Sequence, residues 1–215
     1  PVLVAVLVAV GCEPGPSEKV KEAINNSNAP GGAKESGSAR KLLESVAKTY
    51  ADAKTYEDVG DLYVEVKDGG KTEEPDPRPF SLTFERPNRL RVHAFDCNVI
   101  VDGELLRATI PGMQQVLALK AQASLEVGHV LSDEILAQSL SGGLSPTLPI
   151  LRLLTGNHDL PGFAPGAKVS QLSSATIDDV TCDRVEANTP EGSTIYWIDP
   201  KTYLIKRMEF ATEET

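Results

Sequence analysis

The feature that most constrains this chain is a long succession of period-two segments joined by tight turns. Phe80, Leu82 and Phe84 alternate with Ser81, Thr83 and Glu85, and Leu90, Val92 and Ala94 alternate with Arg89, Arg91 and His93. Leu62, Val64 and Val66 alternate likewise with Tyr63, Glu65 and Lys67 until Asp68-Gly69-Gly70 breaks the run. Alternation of this kind sets one face of each strand against a core and the other toward solvent. Cys97 to Val101 runs into Asp102-Gly103, a hairpin signal, Leu105 to Ile110 returns, and Gln115 to Lys120 makes another strand. Further strands are expected near Val169–Thr176, Cys182–Asn188, Ser193–Ile198 and Leu204–Phe210, the last three joined by the turns "TPEG" and "DPKT". Consecutive alternating strands with short turns make an antiparallel meander.

One apolar face per strand needs a cover. Three helical patterns can supply it. Leu42, Leu43, Val46, Ala47 and Tyr50 recur at helical spacing behind Ser38, a candidate N-cap. Ser132–Leu140 and Leu148–Leu154 read as two short leucine-faced helices, separated by Gly142-Gly143 and Pro146 and closed by Gly156. The expected class is therefore α+β, mainly antiparallel β: a curved sheet, or an incomplete β-barrel, with helices packed on its concave side.

The ends of the 215-residue chain differ from this body. Val2 to Val10 is an unbroken apolar run, too short to span a bilayer but of the length and composition of a signal-peptide h-region. Ala9-Val10-Gly11-Cys12 resembles a bacterial lipobox, which makes residues 1–12 a truncated lipoprotein signal ending in Cys12, the residue that would receive the lipid. Glu13 rather than Asp follows it, which favours the outer membrane. Residues 13–37 are rich in Pro, Gly, Ser, Asn, Glu and Lys and read as a flexible tether. A coil of that length has a reach on the order of 25–30 Å. Residues 38–215 form the folded domain. A formal net charge of −10 without any basic stripe argues against nucleic acid as a partner.

Motifs for chemistry are sparse. Gly156-Asn157-His158-Asp159 matches one metal-ligand stretch of the metallophosphoesterases, but the accompanying Asp-x-His and downstream histidines are missing, so a helix cap and turn is the expected reading. His93 and His129 lack ligand spacing, and His93 shares a polar strand face with Arg91. No phosphate loop, nucleophile elbow or Cys-x-x-Cys occurs. With Cys12 lipidated, Cys97 and Cys182 remain, either bridging two strands or standing as separate buried thiols. No catalytic residue, metal site or cofactor is expected, and the chain does not read as an enzyme.

"FERPNRLRV" (Phe84 to Val92), followed by "VDGELL", "IPGMQQV" and the closing "WIDPKTYLIKRMEF", resembles the outer-membrane lipoprotein carrier family of LolA/LolB type. The likeness covers most of Ser38–Phe210. It implies an unclosed barrel, a helical lid and an apolar cavity for the acyl chains of lipids or lipoproteins. It also implies that Arg86 is the residue latching the lid. The strand faces that would line such a cavity run through Phe80, Leu82, Phe84, Leu90, Val92, Leu106, Ile110, Leu117, Leu119, Trp197, Leu204, Met208 and Phe210. The expected function is a lipid-anchored periplasmic binding protein for lipid or lipidated cargo, with the membrane, through Cys12, and other envelope proteins as partners. An envelope sensory or structural module of the same fold is the alternative, or the amino-terminal module of a longer enzyme continuing past Thr215.

Overall fold

Strands that alternate in sequence stack into rows when they pair antiparallel and in register, and this is how the core is built. The computed structural model describes residues 2–9, 36–68, 71–72, 77–94, 96–110, 112, 116–141, 147–190 and 192–212. Strands β4 (Arg78–Glu85), β5 (Arg89–Ala94), β6 (Cys97–Asp102), β7 (Leu105–Thr109) and β8 (Leu117–Lys120) form a continuous meander. Phe84, Leu90, Val101, Leu106 and Leu119 make one cross-strand row, and Leu82, Val92, Val99, Ala108 and Leu117 make the next. Each fully buried Leu, Val or Phe in these rows contributes roughly 1.5–3 kcal/mol of burial.

The second block is β9 (Val169–Ile177), β10 (Val180–Thr189), β11 (Gly192–Ile198) and β12 (Ile205–Thr212). β2 (Thr55–Asp68) extends the first block beyond β4 and also pairs with the short β3 (Lys71–Thr72). β1 (Val2–Ala9) joins the blocks, so the order is β8-β7-β6-β5-β4-β2-β1-β12-β11-β10-β9, with every pairing antiparallel. Among the described residues no pairing joins β8 to β9, and the sheet is not a closed barrel. The run read as an export leader thus lies as a central strand. An apolar run of eight residues serves equally as a strand or as an h-region, and the membrane-partition experiment below separates the two.

Helices cover one face, termed inner here. α1 (Ser36–Asp52) buries Ala39, Leu43, Val46 and Tyr50, a single stripe. Ser38 is not its N-cap, because the helix begins two residues earlier; its hydroxyl instead donates to Gln171 Oε1 on β9 at 2.5 Å. α2 (Val127–Val130) is a single turn, too short to show a helical spacing in the sequence. α3 (Glu134–Ser141) is capped by Asp133, whose Oδ1 accepts from Ile135 and Leu136 N–H at 3.0 and 2.9 Å. α4 (Thr147–Leu154) ends as expected at Gly156, with φ +72° and an Asn157 N–H to Arg152 carbonyl bond of 2.9 Å.

Among the described residues, β1 pairs as far as Gly60 of β2 and Arg207 of β12. Tyr50 from the last turn of α1 is fully buried, and its hydroxyl accepts the Ile205 N–H at 3.1 Å. The Tyr50 and Tyr56 rings lie 5.3 Å apart, and the Tyr56 hydroxyl donates to Asp58 Oδ2 at 3.0 Å. Burial pushes the Asp58 carboxyl up to about 6, against the opposing pull of the Tyr56 hydroxyl, the Val59 N–H and Lys206. The folded state therefore holds a proton that the unfolded chain has released between about pH 4 and 6, so this residue's contribution falls as pH rises through that window. Asp58→Asn should stabilise the fold above pH 6 by roughly 1–3 kcal/mol and give no gain at pH 4. Urea unfolding at the two pH values measures this, and an equal effect at both would remove the buried charge as its cause.

Candidate functional site

The tripeptide Arg86-Pro87-Asn88 lies at the turn between β4 and β5 and touches every layer of the domain. Arg86 donates from Nε to the Ala53 carbonyl at 2.8 Å, and from Nη2 to the carbonyls of Ala51 and Leu154, each at 2.6 Å. Its backbone N–H bonds Lys54 O at 2.9 Å, and its guanidinium carbon lies 5.3 Å from the centroid of the Phe84 ring. Ala51 and Leu154 belong to the last turns of α1 and α4, where four carbonyls lack helical partners and the helix dipole favours a cation. One guanidinium therefore binds two helix ends to the sheet rim, as a planar fork with five donors can. Pro87, joined to Arg86 by a cis peptide bond, accepts the Leu125 N–H at 2.9 Å. Asn88 Nδ2 donates to Gly103 O at 2.9 Å and Gln122 O at 2.7 Å. That fixes the β6–β7 turn, which Asp102 closes by accepting from Glu104 and Leu105 N–H at 3.0 and 2.9 Å. Those backbone donors, with Arg107, hold the Asp102 carboxyl well below the usual carboxylate range.

Of the expected lining residues, Phe80, Leu82, Phe84, Leu90, Val92, Leu106, Ile110 and Met208 are buried in one inner-face cluster. Leu117, Leu119, Leu204 and Phe210 pack on its margin, partly buried. The helices give Leu136, Leu140, Ile150, Leu151, Leu153 and Leu154 to the same cluster. Trp197 is the correction. It lies on the opposite, outer face with Tyr63, Ile177 and Cys182, while its neighbours Tyr196 and Ile198 face inward. Four consecutive apolar residues, Ile195 to Ile198, mark a strand buried on both faces, and such a run does not reveal which face each residue takes. Cys12 lies outside the described residues. Cys97 sits in the inner cluster and Cys182 in the outer one, both free and buried, so of the two alternatives the separate thiols hold. Burial raises both, Cys182 to about 11 with Asp199 contributing.

A groove of about 600 Å³ opens between α1 and the 158–166 loop, lined by Arg40, Glu44, Lys48, His158, Phe163 and Gly166 among others. Arg40 holds this loop: Nη1 donates to Gly162 O at 2.7 Å and Ala164 O at 3.2 Å, and Nη2 to Ala167 O at 2.5 Å. Gly162 has φ +84°, and a Cβ there would lie 2.8 Å from the Ala187 Cβ, so the loop can seat on the sheet only with glycine at this position. The Asn157 side chain accepts the Asp159 N–H at 2.8 Å, the turn expected of "GNHD". His93 Nδ1 lies 2.8 Å from Asn98 Oδ1 on the neighbouring strand. Sequence reasoning missed Arg40 and Asn88, because a side chain bonded to backbone carbonyls more than a hundred or a dozen residues away leaves no local pattern. No protein-family model and no curated protein matches this chain.

Arg86→Leu should cost roughly 2–4 kcal/mol, since three carbonyl acceptors lose a charged donor. Amide exchange should quicken at 51–54 and 147–156, while β5–β7 stay protected. Uniform acceleration across the sheet would show that Arg86 only stabilises the fold globally and does not tie the helices to its rim.

Proposed function

We propose that this chain is a membrane-anchored binding protein of the bacterial periplasm, related to the lipoprotein carriers, that holds the acyl chains of lipids or lipoproteins. In this reading the sheet is a curved, incomplete barrel and the helices packed on it are its lid. The observation that carries it is the Arg86 junction. A leucine-rich helical layer rests on an apolar sheet face and is tied to the sheet rim by hydrogen bonds from one side chain. Such a tie can be released without unmaking any strand pairing. Exposing an acyl chain of about fifteen methylenes to water costs on the order of 12 kcal/mol, so cargo of this kind needs an apolar interior and a cover that opens. Full burial of Leu136, Leu153 and Leu154 against the strand rows favours the second reading, a sensory or structural module whose interior is filled by its own side chains.

A fluorescent fatty-acid probe separates these. Under the carrier reading it binds at about one equivalent, faster in Arg86→Leu, and Val92→Trp reduces binding by more than the ~1–3 kcal/mol that overpacking costs in stability. A chain that takes up no probe under native conditions is the filled module.

The anchor rests on Ala9-Val10-Gly11-Cys12. Expressed in bacteria behind a complete signal, the protein should incorporate labelled fatty acid and sediment with membranes, and Cys12→Ser should move it to the soluble fraction. Recovery of the wild type unlabelled, with Val2–Ala9 retained, would make that segment a strand of the mature fold and not a leader.

A further inference from the structure

The outer face of the second block carries a group that the proposed lipid-holding role does not use. Arg184, Trp197 and Arg207 are direct cross-strand neighbours on β10, β11 and β12. They are 4, 1 and 0% exposed. The two guanidinium carbons lie 5.0 and 4.9 Å from the centroid of the indole ring. Glu209 is the acid in the cluster: its Oε1 accepts the indole N–H at 2.7 Å and lies 3.0 Å from Arg207 Nε, outside hydrogen-bonding geometry. Arg184 Nε donates to Ser173 O at 2.8 Å.

Stacking on an indole satisfies the face of a guanidinium and leaves its in-plane N–H donors pointing outward along its edge. Among the described residues, Arg184 Nη1 and all three nitrogens of Arg207 have no hydrogen-bond acceptor. Among the described side chains, one carboxylate against two guanidinium ions leaves this cluster one positive charge in excess, in a place shielded from water. Buried donors of this kind are strongly unfavourable without an acceptor, and an anionic ligand supplies both charge and lone pairs. The surroundings set its type. Tyr63, Ile177 and Cys182 with Ala175, Val180 and Ile195 pack with the Trp197 indole as a mainly apolar cluster.

We propose that this face is a second binding site, in which Arg207, supported by Arg184, pairs with the oxyanion of a ligand, a phosphate or carboxylate group that enters beside Trp197. A forked guanidinium fits either group through two parallel bonds. Because Arg207 is fully covered, access requires neighbouring side chains to move aside, and association is slower than diffusion. The site is independent of the inner core, since it lies across the sheet from the cluster facing the helices.

Trp197 is the single tryptophan, so its emission reports directly on the cluster. The full chain is titrated at constant ionic strength with inorganic phosphate, with acetate, and with vesicles of phosphatidylglycerol in phosphatidylcholine, chloride serving as the reference. A saturable emission change with phosphate or acetate supports the site and identifies a free oxyanion; a change with the anionic vesicles alone supports it and identifies a lipid headgroup. Arg207→Gln should weaken binding at least ten-fold. Should that variant not fold, Arg207→Lys, which keeps the charge and loses the fork, and Arg184→Gln should each weaken it several-fold, with the inner-face fatty-acid response unchanged. Emission that follows chloride in all three titrations, or binding unaltered in every variant, would overturn the proposal.

Discussion

A guanidinium placed where two helices end is the interaction on which the rest of this architecture depends. Helix ends need acceptable partners for their last carbonyls, and here α1 and α4 find the same one in Arg86. The position of that side chain is fixed in turn by the β4–β5 turn, whose next two residues bond Leu125, Gly103 and Gln122. Three consecutive residues thus set where the helices stop, where the following hairpin turns and where the chain leaves β8 for α2. Removing the fork would leave each element intact and their mutual placement underdetermined.

The two blocks of the sheet differ in what their outer faces are made of. In β4 to β7 the alternation is clean, with Thr83, Glu85, Arg91 and Asn98 outside and apolar residues inside. In β10 to β12 both faces are buried, the outer one around Trp197 and its two arginines. A sheet with one wet face tolerates polar substitution there, whereas a sheet covered on both sides has to satisfy every charge it hides. The first block is ordinary in this respect, and the second concentrates its unusual chemistry at one row.

The strands of both blocks were legible because alternation and turn chemistry are local properties. The bounds of the last four differ from the observed ones by at most two residues at any end. Arg86 was singled out by its motif, and its side chain meets the Leu154 carbonyl at the end of α4. Three things were not legible. Strand pairing between Val2–Ala9 and β12 spans about the whole chain, and nothing in an apolar run names its partner. The side of Trp197 was hidden by apolar residues on either side of it. Tyr50 read as one more member of a helical stripe, although it also ties α1 to the start of β12, because a hydrogen bond to Ile205 cannot be seen from a spacing of three and four.

The thiols of Cys97 and Cys182 are buried on opposite sides of the same sheet. Neither can reach the other, so an oxidising compartment leaves both reduced for as long as the sheet holds. Each is reachable by a thiol reagent only when its own side opens, which makes the pair two separate clocks. The rate at which Cys97 is modified times the opening of the inner face, and the rate at Cys182 times the loosening of the outer face, within a single molecule.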